Sequence, residues 1–234
     1  MIIFSEKIKA DAVIFDFDGV IVDTEPLHYK AFQQILVPQG MGYSWEQYKS
    51  TYMGFDDRDA FQEVYAINRL TIDVDELTDL IAVKAAIFQE IIRSGITAYP
   101  GAVELVKALH RTKIPLAICS GALRSDIVPI LEMLDIKECF DIIVSADNVS
   151  KSKPDPESYH LAFDQLSNFH PKIQISKIHT VAIEDTPAGI TSATDAGLMV
   201  IAITNSYSKE YLTKADYITD SLENLVSKLT DLPG

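Results

Sequence analysis

AVIFDFDGVIVDTE, residues 12–25, joins an apolar run to two aspartates that are one residue apart. The run from Ala12 to Phe15 predicts a short strand buried on both faces, and Asp16 and Asp18 follow where that strand should end. In open parallel sheets, ligands bind at the carboxyl ends of the strands. We therefore expect an acidic site at one edge of a parallel sheet.

Two kinds of pattern divide the rest of the chain. For about 70 residues after Glu25 the apolar spacing is helical, which predicts an inserted helical domain at residues 24–96. From Tyr99 onward, strand and helix patterns alternate. This alternation predicts an α/β domain, residues 1–23 and 97–234, with a Rossmann-like, doubly wound and mostly parallel sheet.

Local signals predict individual elements within these domains. Apolar runs predict strands at 114–119 and 178–183, and Tyr159 begins an apolar stripe typical of a crossover helix. Pro129 lies inside another helical stripe, which predicts a helix that begins late or is bent. Ser44 and the glutamine three residues later predict a capping box.

Polar residues follow the other predicted strands as well. Ser120 and Gly121 follow one strand, Lys153 lies in a loop after the next, and Glu184 and Asp185 follow a third. Each feature alone is an ordinary turn or helix cap. Together they would bring several carboxylates to one sheet edge, where self-repulsion favours a bound cation. Carboxylate oxygens are ligands that Mg²⁺ prefers, and the ammonium, hydroxyl and amide groups suit phosphoryl oxygens.

Composition limits the partners. With 34 acidic and 20 basic side chains the net charge is −14, so the average surface repels nucleic acid and anionic membranes. No apolar run approaches the length of a membrane span, and the first ten residues do not have the order of a signal peptide. We expect a cytoplasmic protein that binds neither nucleic acid nor membrane.

Four motifs resemble, in order and spacing, those of the haloacid dehalogenase superfamily: DFDGVIVDTEP, ICSGALRSD, SKPDPESY and AIEDTPAGI. The resemblance spans the core and most of the chain, and the helical insertion is similar to the small cap domain of that family. The chain most resembles the subfamily that holds sugar-phosphate and phosphoglycolate phosphatases and beta-phosphoglucomutase. The resemblance implies a monomer that acts on a small phosphorylated metabolite.

The resemblance also implies roles for the acidic residues. Asp16 would be the nucleophile that forms an aspartyl-phosphate, and Asp18 would be the general acid and base. Magnesium would be held by the Asp16 carboxylate, the backbone carbonyl of Asp18 and Asp185. Glu184 would orient a water on the metal.

The same resemblance assigns the phosphoryl contacts. Ser120 and the Gly121 amide would bind the transferring group, and Lys153 would neutralise charge on that group and on the nucleophile.

In the helical insertion, four residues are candidate substrate contacts. Thr24 and His28 match family positions that matter for mutase catalysis and cap closure, and Arg58 and Lys84 are candidates to face the substrate. For Arg58 and Lys84, an exposed helical charge is an equally good interpretation. His28 could also simply close a helical turn.

Three functions remain open. A magnesium-dependent phosphatase is favoured, because the loop after Ser120 has Ala122, Leu123 and Arg124 where the mutase has polar residues. The alternatives are a phosphomutase and a non-catalytic protein that binds a phosphorylated metabolite.

Overall fold

The computed structural model describes residues 2–4, 8–53 and 55–230, and it divides into two compact units. One unit comprises Met1–Asp23 and Thr97–Gly234, and the other comprises Thr24–Ile96. We call them the α/β unit and the helical unit.

The α/β unit contains a six-stranded sheet and a two-stranded antiparallel ribbon. The strands are β1 (Ile2–Ile3), β2 (Lys9–Ala10), β3 (Ala12–Phe15), β4 (Leu116–Cys119), β5 (Ile142–Val144), β6 (Thr180–Glu184), β7 (Met199–Ile203) and β8 (Tyr217–Thr219). The sheet order is β5-β4-β3-β6-β7-β8, and every pair in it is parallel. The prediction of a doubly wound parallel sheet is confirmed.

Both units contain α-helices. The α-helices are α1 (Glu25–Leu36), α2 (Trp45–Gln47), α3 (Asp57–Ile67), α4 (Val74–Arg93), α5 (Ala102–Arg111), α6 (Arg124–Met133), α7 (Glu157–Phe169), α8 (Pro187–Asp195) and α9 (Glu223–Thr230). A π-helix, Tyr48–Tyr52, follows α2. Among the described residues, no helix combines the length and apolar character that a membrane span needs.

The strand order reverses at β3, and this reversal positions the site. From β3 the chain adds β4 and β5 on one side, and it then returns to place β6, β7 and β8 on the other. A reversal of this kind opens a crevice at the carboxyl ends of the central strands. The residues that follow β3, β4 and β6 are therefore adjacent.

Apolar residues bury both faces of the central strands. All four residues of β3 are buried, as predicted for a strand covered on both sides. Ala12 and Ile14 pack in one cluster with Tyr159 and Leu166 of α7 and Ile190 of α8. The alternate residues of β3 face the other side of the sheet.

The helical unit has a separate core rich in aromatic rings. Phe32 of α1 packs edge-on against Phe61 of α3, with ring centroids 5.1 Å apart. Trp45 stacks on Tyr48, with centroids 5.2 Å apart. The predicted capping box is present, since the Ser44 side chain accepts from the backbone N–H of the glutamine at N3 and that glutamine bonds back to Ser44 N–H.

Some predicted boundaries were wrong for identifiable reasons. β4 begins at Leu116 because Pro115, which lacks an N–H, precedes it and contributes only its carbonyl to the amide of Val13. β6 begins at Thr180 because the preceding three residues form a 3₁₀ turn. α6 does not begin late, since it starts five residues before Pro129 and continues through it.

We expect Gly101→Ala to destabilise the α/β unit strongly. Gly101 has φ +81°, and a Cβ there would lie 2.4 Å from the backbone N of Glu223. The left-handed conformation alone costs about 1–2 kcal/mol for a residue with a Cβ, and the backbone clash should bring the total to about 3 kcal/mol. Urea denaturation followed by circular dichroism measures the change.

Gly197→Ala is the matched control. Gly197 has φ +85°, but its Cβ would meet only Lys177 Cδ, at the ordinary distance of 3.6 Å. Equal losses in the two variants would contradict the assignment of the extra cost to the contact with Glu223.

Candidate active site

The sheet ladder itself positions the predicted site residues at the carboxyl ends of three strands. Asp16 follows β3, and its N–H donates to Ile183 O of β6 at 2.9 Å. Ser120 follows β4, and its N–H donates to Val144 O of β5, also at 2.9 Å. Both residues thus continue the strand pattern by one step, so their side chains have a fixed direction.

Lys153 joins three of these strand ends. Its Nζ donates to Asp16 Oδ1 at 2.8 Å, to Cys119 O at 3.0 Å and to Glu184 Oε1 at 2.6 Å. An ammonium has three N–H donors, so these three bonds use all of them. The structure therefore brings Lys153 together with Asp16, and also with Glu184, a contact that the resemblance did not imply.

Glu184 is fully buried, and both of its oxygens accept hydrogen bonds. Tyr159 Oη donates to Oε1 at 2.8 Å, alongside Lys153. The Asp185 N–H, the Thr186 N–H and the Thr186 hydroxyl lie 3.2–3.4 Å from Oε2. Gly189 packs against the same carboxylate, and a Cβ there would lie 2.0 Å from it.

Asp185 is buried in a different way. Both carboxylate oxygens are inaccessible to solvent, and among the described residues none donates them a hydrogen bond of good geometry. A Cβ on Gly19 would lie 1.9 Å from Oδ2, so only glycine fits beside this carboxylate. An ionised carboxylate without a partner is costly to bury, which points to a cation as its missing partner.

The acidic residues form a cluster that could hold a metal ion. Asp16, Glu184 and Asp185 each offer a carboxylate oxygen, and these oxygens lie within 4.8 Å of one another. The oxygen donors and the lack of a hydrogen bond to Asp185 suit a hard divalent cation such as Mg²⁺.

Burial and mutual repulsion change the protonation of this cluster. Burial, followed by the charge of Glu184, raises the pKa of Asp16 to about 7, although Lys153 acts in the opposite direction. Burial and the charges of Asp16 and Glu184 raise the pKa of Asp185 well above its usual value, although the Ser206 side chain and Lys153 act in the opposite direction. Burial alone would lower the pKa of Lys153, but the two carboxylates in contact raise it well above its usual value.

The remaining predicted residues of the α/β unit lie in the adjoining loops. Ser120 is buried, and its Oγ accepts from Ala122 N–H at 2.9 Å, while Gly121 is exposed. Asp18 is partly exposed, and its backbone forms a bridge with Val22. Its charge contributes to the raised pKa of Asp16.

Arg124 takes part in the structure of the loop after β4. Its N–H donates to Asp147 Oδ2 at 2.8 Å, and its Nη1 donates to Ile143 O at 3.1 Å. These contacts tie the loop after β4 to the end of β5.

The helical unit brings together two of its four predicted residues. Lys84 Nζ lies 2.7 Å from His28 Nδ1 and 2.7 Å from Asp57 Oδ1. Lys84 is 2% exposed and lies over the rings of Phe32 and Phe88. The interpretation of Lys84 as an exposed helical charge was wrong, because Lys84 is buried and contacts an aspartate and a histidine that are themselves only partly exposed.

His28 is partly buried, lies in the same cluster and stacks on Phe88. Burial, with a smaller contribution from Lys84, lowers its pKa well below the usual value. The Lys84 ammonium can only donate, so Nδ1 accepts from it and the ring carries its proton on Nε2. Thr24 is buried just before α1, and Arg58 is exposed in the first turn of α3.

Sequence reasoning missed four residues of these clusters. Asp57 precedes Arg58 in FDDRD, but nothing in the neighbouring sequence indicates that it pairs with Lys84, 27 positions away. Tyr159 was predicted only as a core residue, and Gly19 and Gly189 only as parts of motifs.

Comparison with known proteins places the chain in a family. A family model described as haloacid dehalogenase-like hydrolase matches residues 13–203. The phosphorylated carbohydrates phosphatase of Thermotoga maritima is 28% identical over 189 residues, which cover 80% of this chain and 82% of that protein. Validoxylamine A 7'-phosphate phosphatase of Streptomyces hygroscopicus subsp. limoneus is 28% identical over 209 residues, covering 89% and 92%.

A solved structure agrees with the fold. CbbY from Rhodobacter sphaeroides, in complex with phosphate, has a TM-score of 0.80 at 25% identity, covering 94% of this chain and 99% of that one. The family model matches more than half of the chain, and three of the four motifs lie at the ends of β3, β4 and β6, while the third lies in the loop before α7 and in its first turn. This chain belongs to the haloacid dehalogenase-like hydrolase family.

Proposed function

We propose that the chain is a magnesium-dependent phosphatase that hydrolyses a small phosphorylated metabolite, a sugar phosphate or a similar phosphomonoester. The observation that carries the proposal is the buried Asp16 carboxylate, which is 2.8 Å from the Lys153 ammonium beside the acidic cluster. The phosphatases named among its relatives support the substrate class.

Three groups would hold the metal: the Asp16 carboxylate, the backbone carbonyl of Asp18 and the Asp185 carboxylate. When bound, Mg²⁺ supplies positive charge against the carboxylates and the phosphoryl oxygens. The Asp185 oxygens, which accept no hydrogen bond of good geometry from the described residues, fit this role best. Glu184 Oε1 already accepts hydrogen bonds from Lys153 and Tyr159. The structure therefore supports a role for Glu184 beside a metal-bound water less than it supports Asp185 as a metal ligand.

Asp16 and Asp18 would perform the covalent steps. The Asp16 carboxylate attacks phosphorus in line, the bond between phosphorus and the ester oxygen breaks, and Asp18 gives its proton to the leaving oxygen. Asp18 then takes a proton from water, which attacks phosphorus and releases Asp16 with inorganic phosphate.

Lys153, Ser120 and the Gly121 N–H would bind the phosphoryl group during both steps. Lys153 already contacts Asp16, so it needs no reorganisation as charge moves from the nucleophile to the phosphoryl oxygens. Ser120 is held by the sheet ladder and by the amide of Ala122.

The helical unit would act as the cap that selects the substrate. The buried Lys84 forms a polar cluster with the partly buried His28 and Asp57, and Thr24 and Arg58 are further candidates for substrate contact. The Asp57 carboxylate neutralises Lys84, so we expect this cluster to favour uncharged hydroxyl groups over a second phosphate.

The function is tested by phosphate release from a panel of sugar phosphates and other phosphomonoesters with and without Mg²⁺. We expect release that requires Mg²⁺ and falls at least about 10³-fold in Asp16→Asn, because the amide cannot act as the nucleophile. No release from any compound would overturn the proposal. Isomerisation of a hexose phosphate without net release would favour a phosphomutase instead, and binding without turnover would favour a non-catalytic protein.

We expect Asp185→Asn to stabilise the metal-free protein while it removes the metal response. Protonated Asp185 is favoured in the folded state, so its stabilising contribution is present below the unfolded pKa of about 4 and is lost as pH rises through the raised folded pKa. The amide avoids this loss, so the gain should be about 2 kcal/mol at pH 8 and smaller at pH 5.

Thermal unfolding with and without Mg²⁺ measures both effects. Mg²⁺ should raise the melting temperature of the wild type but not that of Asp185→Asn. Asp164→Asn, an exposed position on α7, should change neither quantity. A metal-free Asp185→Asn protein less stable than the wild type at pH 8 would contradict the account of an unpartnered carboxylate.

A further inference from the structure

Tyr159 contacts both members of the ion pair that faces the nucleophile. It is fully buried in the first turn of α7, six residues after Lys153. Its hydroxyl donates to Glu184 Oε1 at 2.8 Å, and its ring centroid lies 4.9 Å from Lys153 Nζ. One side chain thus touches the carboxylate with its hydroxyl and the ammonium with its ring.

The position of the ammonium depends on Glu184. The Glu184 contact is the shortest of the three bonds of Lys153 Nζ, at 2.6 Å, and Asp16 and Cys119 O accept the other two. Glu184 Oε1 is therefore the nearest of the three acceptors that fix the ammonium relative to the nucleophile. A carboxylate that rotated about its last bond would move this acceptor away from Lys153.

Two sets of donors prevent that rotation. On Oε2 the contacts from the following backbone and the Thr186 hydroxyl are long, at 3.2–3.4 Å. On Oε1 the Tyr159 hydroxyl makes a bond of ordinary length, 2.8 Å. The phenol is thus the better-placed neutral donor to this carboxylate.

We propose that Tyr159 is a positioning residue: its hydroxyl holds Glu184, and through Glu184 it holds the Lys153 ammonium against Asp16. The effect on turnover rests on the proposed phosphatase function, whereas the effect on geometry does not. The hydroxyl touches no reacting atom, so it acts only through Glu184.

Tyr159→Phe tests the proposal because it removes the hydroxyl and keeps the ring beside Lys153. We expect kcat to fall about 10-fold while KM stays within about threefold, since the ammonium is misplaced relative to the nucleophile. In a Glu184→Gln background the same substitution should lower kcat less than about twofold, because the charged partner through which it acts is gone.

Thr180→Val is the matched control for loss of a buried hydroxyl. Thr180 lies at the opposite end of β6 from Glu184, and its hydroxyl donates to Ser176 O at 2.9 Å. We expect Thr180→Val and Tyr159→Phe to lose similar thermal stability, with kcat unchanged in Thr180→Val. An unchanged kcat in Tyr159→Phe, an equal fall in Thr180→Val, or an undiminished effect in the Glu184→Gln background would each overturn the proposal.

Crystal structures of the wild type and Tyr159→Phe make the test without a substrate. The Lys153 Nζ to Asp16 Oδ1 distance, 2.8 Å here, should exceed about 3.5 Å in the variant, beyond hydrogen-bond length. An unchanged distance would overturn the proposal. If the wild type releases no phosphate from any compound, the proposed function fails, and these two structures still decide the role of Tyr159.

Discussion

The Lys153 ammonium offsets the repulsion between carboxylates that are buried together at the carboxyl ends of the central strands. Asp16, Glu184 and Asp185 are buried within a few ångströms of one another, and Lys153 contacts the first two. Its bonds also join the ends of β3, β4 and β6, the three central strands. The loop that carries Lys153 therefore connects the carboxyl ends of these strands and also contributes to the site.

Glycine makes this concentration of charge possible in a small volume. Gly19 and Gly189 each lie so close to a carboxylate that any Cβ would clash with it. These two positions keep the backbone against Asp185 and Glu184, so little space is left for water to solvate the charges. The raised pKa of Asp185 follows first from this burial and then from the charges of Asp16 and Glu184. The buried carboxylates thus destabilise the metal-free protein at the place where the proposed chemistry needs a cation.

Sequence patterns predicted the parts of the fold that depend on local order. Apolar runs identified the strands, and polar residues directly after them identified Asp16, Ser120 and Glu184 as neighbours, because parallel strands end at one edge. Strand starts were less predictable: Pro115 delays β4, and a 3₁₀ turn delays β6. A periodic pattern does not contain either constraint.

Those patterns could not predict contacts between side chains that are far apart in the sequence. Tyr159 has the spacing of a core residue, and it is one, but spacing gives no information on where its hydroxyl points. The pairing of Lys84 with Asp57 depends in the same way on how α3 and α4 pack. A charged residue at a helical position is usually exposed, and only packing shows the exception.

The aromatic core of the helical unit has a spectroscopic consequence. Trp45 is the single tryptophan of the chain, and it lies in that unit, stacked on Tyr48. Tyr48 in turn donates to the Glu25 carboxylate at 2.5 Å at the start of α1. Tryptophan emission therefore reports the state of the helical unit alone, while the far-ultraviolet signal reports both units. Comparing the two signals during denaturation would separate the unfolding of the helical unit from that of the sheet without any introduced label.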